Sequence, residues 1–334
     1  MARGSAAAAS AGSAAAVAHL EALQHRLQAE ADAEVKVGQD GYFKGVIFHR
    51  GVKTPAVEAV CKAFLKEVAA EPAGLRQLGL ALLRQPLQED KLAGMLCWRQ
   101  CLLEAGLAEQ WREELRALQQ IYTDGHVFAW STCDWICGRL LAPMIKLLLK
   151  SEPAQGEACA SHVLAWCRHD NLWLRRSSVV AFVTMAKLPD DKASCLHVFP
   201  GFRASLLDAL AATVRGEERF AQTGTGWVLR ELGKGDSPCM LQFVGANLEH
   251  FSREGLRYAL EHQPAAVRQP LMDRHKELVP MQRQQQQQQG EADASRPAAA
   301  RRGRRRQDVK DAGLEQDADG EKQAAAAKRR RRKE

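Results

Sequence analysis

The sequence predicts an all-α fold from three observations: composition, apolar periodicity and the spacing of breaker residues. Leu and Ala dominate the 334 residues, Tyr occurs three times, and alternating Val/Ile/Thr runs are missing. This composition favours helix over strand. Apolar residues recur with helical spacing from residue 35 to about residue 280. Short breakers such as Glu71-Pro72 and Gly233–Asp236 divide this region into helices joined by short turns.

Short turns between helices predict antiparallel helical hairpins. A series of about a dozen helices favours an α-solenoid of tandem HEAT-like or armadillo-like repeats over a four-helix bundle. Periodicity alone does not decide between these two architectures. One of the predicted helices is long and uninterrupted, from Val127 to Lys150.

The composition divides the chain into three parts. Residues 1–34 are rich in Ala and Ser, with a helical pattern from Val17 to Ala33, and we interpret them as a frayed N-terminal arm. Their acidic residues argue against an organellar transit segment. Residues 35–280 form the predicted repeat domain. Residues 281–334 are Gln-rich and then basic, without core-forming residues, which predicts a disordered tail.

Charge is concentrated in the tail. Residues 283–334 contain 15 Lys and Arg against 9 Asp and Glu, so this segment holds +6 of the net charge of +7. Two basic runs, Arg301–Arg306 and Lys328–Lys333, are spaced like a bipartite nuclear-localisation signal. We therefore predict a nuclear protein. A basic arm that binds nucleic acid without sequence preference would show the same pattern.

Membrane insertion and metal chemistry are not favoured. No apolar run approaches the ~18 residues that a membrane-spanning helix needs. The nine cysteines include no CxxC pair, and the ten histidines form no cluster with metal-ligand spacing. We expect reduced and partly buried thiols, and neither a metal nor a cofactor.

Three stretches are unusual for a simple scaffold. In the first, Trp130 and Asp134 are four residues apart, which places an indole and a carboxylate on one helix face. The second, residues 166–176, has the pattern of a helix end, a turn and a new helix opening with Trp and two Arg. The third, residues 220–231, contains two glycines in a helical pattern. Each costs ~1 kcal/mol relative to Ala, which indicates close approach to the backbone.

Together these stretches resemble a known family. Trp-x-x-x-Asp from residue 130, Asn-x-Trp-Leu-Arg-Arg from residue 171 and Phe-x-Gln-x-x-x-Gly-Trp-x-Leu-Arg-Glu from residue 220 resemble the DNA alkylation-repair glycosylases of the AlkD type. The segments Gly41–Lys44 and Gly51–Pro55 are similar to that family's opening. The resemblance covers roughly residues 35–265.

The resemblance implies tandem HEAT-like repeats and a base-excision-repair activity. Members of the family hydrolyse the N-glycosidic bond of N3- and N7-alkylated purines without metal or cofactor. The implied partner is double-stranded DNA that carries such purines, and we expect a monomer.

The family's catalytic residues are carried over by position. Asp134 matches the essential aspartate, Trp130 the tryptophan one turn earlier, and Trp227 the second tryptophan. Arg176 matches the family's arginine better than Arg175, because its spacing to Trp227 agrees with the family's.

The expected DNA contacts come from four further side chains. Tyr42 matches an aromatic that lies near the DNA backbone in relatives. We expect Lys44, Arg175 and Arg230 to contact DNA as well.

The sequence departs from the family at several places. The family often has a second aromatic where Ser131 follows Trp130, and an Arg where Ala56 follows Pro55. The loop from 188 to 199 is longer than usual. These differences concern substrate range and DNA affinity more than the basic chemistry.

The alternative interpretation is a non-catalytic HEAT-repeat scaffold that binds nucleic acid or protein. In solenoids Trp commonly packs neighbouring repeats together, and Arg at a helix start often bonds a carboxylate. An intact set of the four matched residues on one face favours the enzyme. Dispersal of that set over the surface favours the scaffold.

Overall fold

The computed structural model describes residues 17–68, 72–104, 106–188 and 198–278. Within these residues the protein is an all-α helical-repeat solenoid, as the sequence predicts, without a β-strand. The predicted disordered tail over residues 281–334, residues 1–16 of the predicted N-terminal arm, and most of the loop from 188 to 199 lie outside the described residues. The chain divides into a compact unit that ends at Met272 and a second unit that begins at Asp273. The repeats and the candidate site belong to the first unit.

The helices of the first unit follow one another through short turns. The first, α1, covers residues 17–29. The next are α2 (Ala33–Phe43), α3 (Thr54–Glu67), α4 (Pro72–Leu83), α5 (Gln88–Glu104), α6 (Trp111–Thr123), α7 (Trp130–Ile136), α8 (Ala142–Ser151), α9 (Pro153–Ala165), α10 (Leu172–Val180), α11 (Phe202–Val214), α12 (Arg219–Gly235), α13 (Ser237–Ala246) and α14 (Arg253–Ala259). Residues 265–278 are also helical. Single 3₁₀ turns occur at Leu107–Gln110, Trp166–Arg168 and Leu248–His250.

Neighbouring helices pair, and more distant helices stack in a row. The helices α4 and α5 pack against each other, as do α8 and α9. In addition, α3, α5, α7, α10, α12 and α14 contact one another in that order. We call these six helices the stacked row. Because each helix of the row touches the next, side chains from distant parts of the sequence can meet on one surface.

Within the predicted N-terminal arm of residues 1–34, the described helix α1 packs into the first core instead of being frayed. Leu23 and Leu27 of α1 are fully buried and pack with Val57, Cys61 and Phe64 of α3. The two leucines are four residues apart, so one face of α1 is apolar. Because Ala and charged residues surround these leucines, the composition of the segment does not reveal the apolar face.

The predicted helix from Val127 to Lys150 is interrupted. Between α7 and α8, residues Cys137–Leu141 form a π-helical turn, and Pro143 stands in the first turn of α8. Proline has no backbone N–H and cannot make the ordinary bond to the preceding turn. A local π turn is a known response to such a disturbance.

Gly226 of α12 lies where this helix packs closely against α14. A Cβ at Gly226 would lie 2.3 Å from the carbonyl oxygen of Gly255 and 2.8 Å from Cβ of Tyr258, both in α14. Glycine therefore permits the close packing of α12 on α14. This confirms the inference that something approaches the backbone there.

The close packing of α12 on α14 predicts opposite effects of two Gly→Ala substitutions. Gly226→Ala should destabilise the protein by about 1–3 kcal/mol, because backbone atoms must shift. Gly245→Ala is the matched control, since Gly245 is exposed in α13 with no atom within 4 Å of its ideal Cβ. It should stabilise by about 0.5–1 kcal/mol, as helical Gly→Ala changes do. Urea denaturation measures both, and equal effects would contradict the packing argument.

Candidate active site

The centre of the candidate site is an ion pair between neighbouring helices of the stacked row. Asp134 lies on α7, one turn after Trp130, and Arg176 lies on α10. Nε of Arg176 donates to Oδ1 of Asp134, and Nη2 donates to Oδ2, each at 2.8 Å. Bidentate pairing of this kind fixes the orientation of both groups.

This ion pair is largely removed from solvent. The side chain of Arg176 is 6% exposed and that of Asp134 is 13% exposed. Burial lowers the pKa of Arg176, but its hydrogen bonds to Asp134 and the negative charge of that carboxylate outweigh the effect and raise the pKa above its usual value. Arg176 is therefore a permanent cation beside the carboxylate.

The third helix of the site holds the other side of the guanidinium. Nη1 of Arg176 donates to the carbonyl oxygen of Phe220 at 2.7 Å, in the first turn of α12. A Cβ at Gly224 would lie 3.1 Å from Nη1 and 3.3 Å from Cγ of Arg176. Gly224 thus leaves the space through which the arginine crosses from α10 towards Asp134. It is the second predicted close approach in this motif.

A cavity of about 430 Å³ opens beside the ion pair. Its walls combine aromatic rings with charges of both signs. The lining residues are Tyr42, Trp130, Asp134, Arg176, Arg219, Phe220, Thr223, Trp227, Arg230, Glu254 and Tyr258. All except Tyr42 come from α7, α10, α12 and α14 of the stacked row. The four residues matched to the family's catalytic set therefore line one cavity and are not dispersed over the surface.

Trp130 is supported by aromatic side chains of the N-terminal repeat. The ring of Phe43 lies 5.8 Å from that of Trp130 between centroids, and Phe43 stacks on His49 at 5.2 Å. The ring of Tyr42 meets Phe43 edge to face at 4.9 Å. Tyr42 is 70% exposed and lines the cavity. The Gly41–Lys44 segment thus supports one wall of the site and extends it.

Of the four expected DNA contacts, Tyr42 and Arg230 line the cavity, whereas Lys44 and Arg175 are not among its lining residues. Lys44 is exposed at the end of α2 in the left-handed conformation, with φ of 52°. Arg175 donates to the carbonyls of His169 and Asp170 and pairs with Glu218.

The structure also separates the two arginines of the Arg-Arg pair. Consecutive helix residues point about 100° apart. Arg175 is therefore turned to the loop before α10, while Arg176 enters the site. The choice of Arg176 by spacing agrees with this placement.

Two polar residues of the motifs hold the backbone in place. Asn171 caps α10 by accepting from the backbone N–H of Trp173 at 2.9 Å, and its amide donates to the carbonyl of Tyr122 at 3.1 Å. Gln222 is buried in α12 and donates to the carbonyls of Gly216 and His250. These side chains orient the helices that carry Arg176 and Trp227.

The serine that follows Trp130 belongs to a buried hydrogen-bond network. Ser131 is buried, and its hydroxyl accepts a hydrogen bond from the amide of Gln88 at 3.0 Å. Thr132 donates to the other end of the same amide at 2.9 Å. A second aromatic at position 131 would break this buried polar network between α5 and α7.

Five residues of the cavity wall were not predicted as site residues. Phe220 and Thr223 lie inside the quoted α12 motif, so position within the motif is a signal that pointed to them. Arg219, Glu254 and Tyr258 carried no such signal. Arg219 pairs with Glu254, with contacts at 2.6 and 2.8 Å, and both Glu254 and Tyr258 come from α14. Only the stacking of α12 on α14 reveals them.

The thiols of the described residues are free, and all but that of Cys239 are buried. Burial raises the pKa of the Cys61 and Cys159 thiols to about 12. Such thiols are poor nucleophiles at neutral pH. Among the described residues no cluster of three potential metal-ligating side chains occurs, and no helix is both long and apolar enough to cross a membrane.

Comparison with known proteins places the chain in a family. No curated protein matches the sequence. A solved structure described as a predicted DNA alkylation repair enzyme from Enterococcus faecalis has a TM-score of 0.55 and 17% sequence identity, covering 70% of this chain and 97% of that one. At this identity the likeness concerns the fold. A family model described as DNA alkylation repair enzyme matches residues 23–263. Because this match spans most of the chain, the protein belongs to the DNA alkylation repair enzyme family.

Proposed function

We propose that the protein is a DNA N-glycosylase that hydrolyses the N-glycosidic bond of cationic N3- and N7-alkylated purines in base excision repair. The observation that carries the proposal is the buried Asp134–Arg176 pair in the wall of a cavity that Trp130 and Trp227 also line. The family match supports alkylated DNA as the substrate. The convergence of the four residues on one cavity favours an enzyme over a scaffold.

The chemistry follows from the charge of the lesion. A purine alkylated at N3 or N7 is positively charged, so it departs with the bonding electron pair as a neutral base and needs no proton donor. Positive charge then develops on the sugar, as in other glycoside hydrolyses. Water adds to the sugar carbon and loses a proton. The products are a free base and an abasic site.

Asp134 would stabilise the positively charged sugar. Arg176 takes one lone pair on each carboxylate oxygen, and a second remains on each. Those lone pairs can face the sugar or orient the attacking water. A fixed carboxylate in a partly dry site needs little reorganisation during the reaction, which is the main source of electrostatic catalysis.

The two tryptophans would recognise the lesion's charge. An indole face attracts a nearby cation by about 0.5–2 kcal/mol, whereas a neutral purine gains less. Both rings line the cavity at its partly exposed surface, where a nucleotide can reach them. Tyr42 and Arg230 lie on the same surface and would contact the DNA backbone.

The proposed role of Asp134 is tested by Asp134→Asn. Single-turnover release of 7-methylguanine should fall by about 100-fold or more, because the transition state loses its charge partner. Binding to duplex DNA should remain nearly unchanged. Asp208→Asn, on an exposed face of α11, removes the same charge elsewhere and serves as the control. Since Arg176 becomes an unpaired buried cation, the melting temperature must be measured as well. A folded Asp134→Asn protein with wild-type excision would refute the assignment.

Substrate charge is a second test of the mechanism. N7-methylguanine and N3-methyladenine should be released, whereas uracil and 1,N6-ethenoadenine should remain in the DNA, because neutral bases leave poorly without an acid. Trp227→Phe should keep part of the activity and Trp227→Ala should lose most of it, since the aromatic face is what the cation contacts. Measurement of base release from each duplex decides. Efficient uracil excision, or full activity of Trp227→Ala, would exclude the charge-driven account.

Nuclear localisation is part of the proposal and concerns residues outside the described part of the chain. Deleting Lys328–Lys333 should abolish nuclear enrichment of a fluorescent fusion, because the second basic run is lost. Deleting Gln284–Gln289 removes the same number of residues without charge and should leave the distribution unchanged. Equal distributions of the two deletions in microscopy would argue against a bipartite signal.

A further inference from the structure

The two arginines at the outer wall of the cavity are already paired with carboxylates of the last repeat. Arg219 directs its Nε and Nη2 at the two oxygens of Glu254, at 2.6 and 2.8 Å. Arg230 donates to Glu261 at 2.5 Å and lies 3.3 Å from Glu231. Both pairs connect α12 to α14 or to the turn that follows it.

These carboxylates occupy the positions that a phosphate would take. The planar fork of arginine binds carboxylate and phosphate in the same bidentate geometry. A DNA phosphate that approaches Arg219 must therefore displace Glu254 or use weaker positions on the guanidinium. It also meets the negative charge of the carboxylate, which opposes its approach.

The pairs are exposed enough to open. In each pair one side chain is largely exposed, Arg219 at 66% and Glu261 at 50%, whereas its partner is partly exposed, Glu254 at 28% and Arg230 at 21%. Exposed ion pairs of this kind contribute little to stability, so exchange of one anion for another is feasible. The hydrogen bond from Arg219 lowers the pKa of Glu254, and that from Arg230 lowers the pKa of Glu261. Both carboxylates are thus charged at neutral pH.

We propose that Glu254 and Glu261 compete with DNA phosphates for Arg219 and Arg230, and thereby weaken the protein's grip on DNA. Arg219 and Arg230 are phosphodiester-binding residues, and the last repeat supplies their built-in competitors. The inference rests on DNA being the partner in the proposed function. The competitors keep binding to undamaged duplex weak, which allows the protein to release it and continue its search.

A purely architectural role of the pairs gives the opposite expectation. If Glu254 and Glu261 only hold α12 against α14, their removal loosens this wall and DNA binding weakens. If they compete with phosphate, their removal frees Arg219 and leaves Arg230 with one carboxylate, Glu231, instead of two, and binding tightens. The sign of the change in affinity separates the two roles.

The first experiment measures the dissociation constant for an undamaged duplex at fixed salt. Glu254→Gln and Glu261→Gln should each tighten binding about two- to fivefold, the range expected for loss of an exposed ion pair. Glu67→Gln is the matched control. It removes the same charge and breaks an exposed pair with Arg26, and Glu67 does not line the cavity. A gain no larger than that of the control, or a loss of affinity, overturns the proposal.

A double-mutant cycle then tests the pairing itself. Arg219→Gln should weaken binding, and adding Glu254→Gln to it should give no gain beyond that of Glu67→Gln, because the competitor no longer has an arginine to block. An undiminished gain in that background means that Glu254 acts by general repulsion, and it refutes the competition. Duplex binding needs no base release. The competition can therefore stand if the wild-type protein excises nothing, and it can fail while excision is observed.

Discussion

The buried pair of Asp134 and Arg176 is the constraint on which the site depends. Removing one partner of such a pair leaves an unpaired buried charge, which typically costs about 3–5 kcal/mol. Two features of α12 help to hold Arg176 in the position where it pairs with Asp134. The Phe220 carbonyl accepts from the outer nitrogen of the guanidinium, and Gly224 leaves space for its passage. Three helices are therefore fixed relative to one another by one side chain.

Much of the fold follows from local patterns, whereas Arg176 and Trp227 at the centre of the site were predicted from the family resemblance. Helical periodicity predicts the repeats, and the one-turn spacing places Trp130 and Asp134 on a common face. Gly224 and Gly226 weaken the helix, so they predict that another group packs close to its backbone. They do not identify that group. What local patterns miss has two sources. The apolar face of α1 is narrow within an Ala-rich segment, and the wall contributed by α14 exists only through packing between repeats.

Acidic and basic residues nearly balance outside the tail, and they also balance locally in the wall of the cavity. Outside residues 283–334 the acidic and basic residues almost balance. In the cavity wall this balance is local, because Arg176, Arg219 and Arg230 each face a carboxylate. Only the pair formed by Arg176 is deeply buried. The other two pairs are accessible to solvent. An arginine–carboxylate contact therefore fixes the centre of the site, whereas the same contact at its outer wall can exchange its carboxylate for a phosphate.

The residues that form the cavity are far apart in the sequence, and this separation determines when the cavity can form during translation. The cavity takes Tyr42 from the second helix and Tyr258 from α14, so its two ends lie far apart in sequence. During synthesis on the ribosome the early repeats emerge and begin to fold long before α14 is made. The nascent chain therefore presents Trp130 and Asp134 without their full surroundings. The complete pocket forms only once the chain has been translated beyond α14, so premature or truncated products lack it.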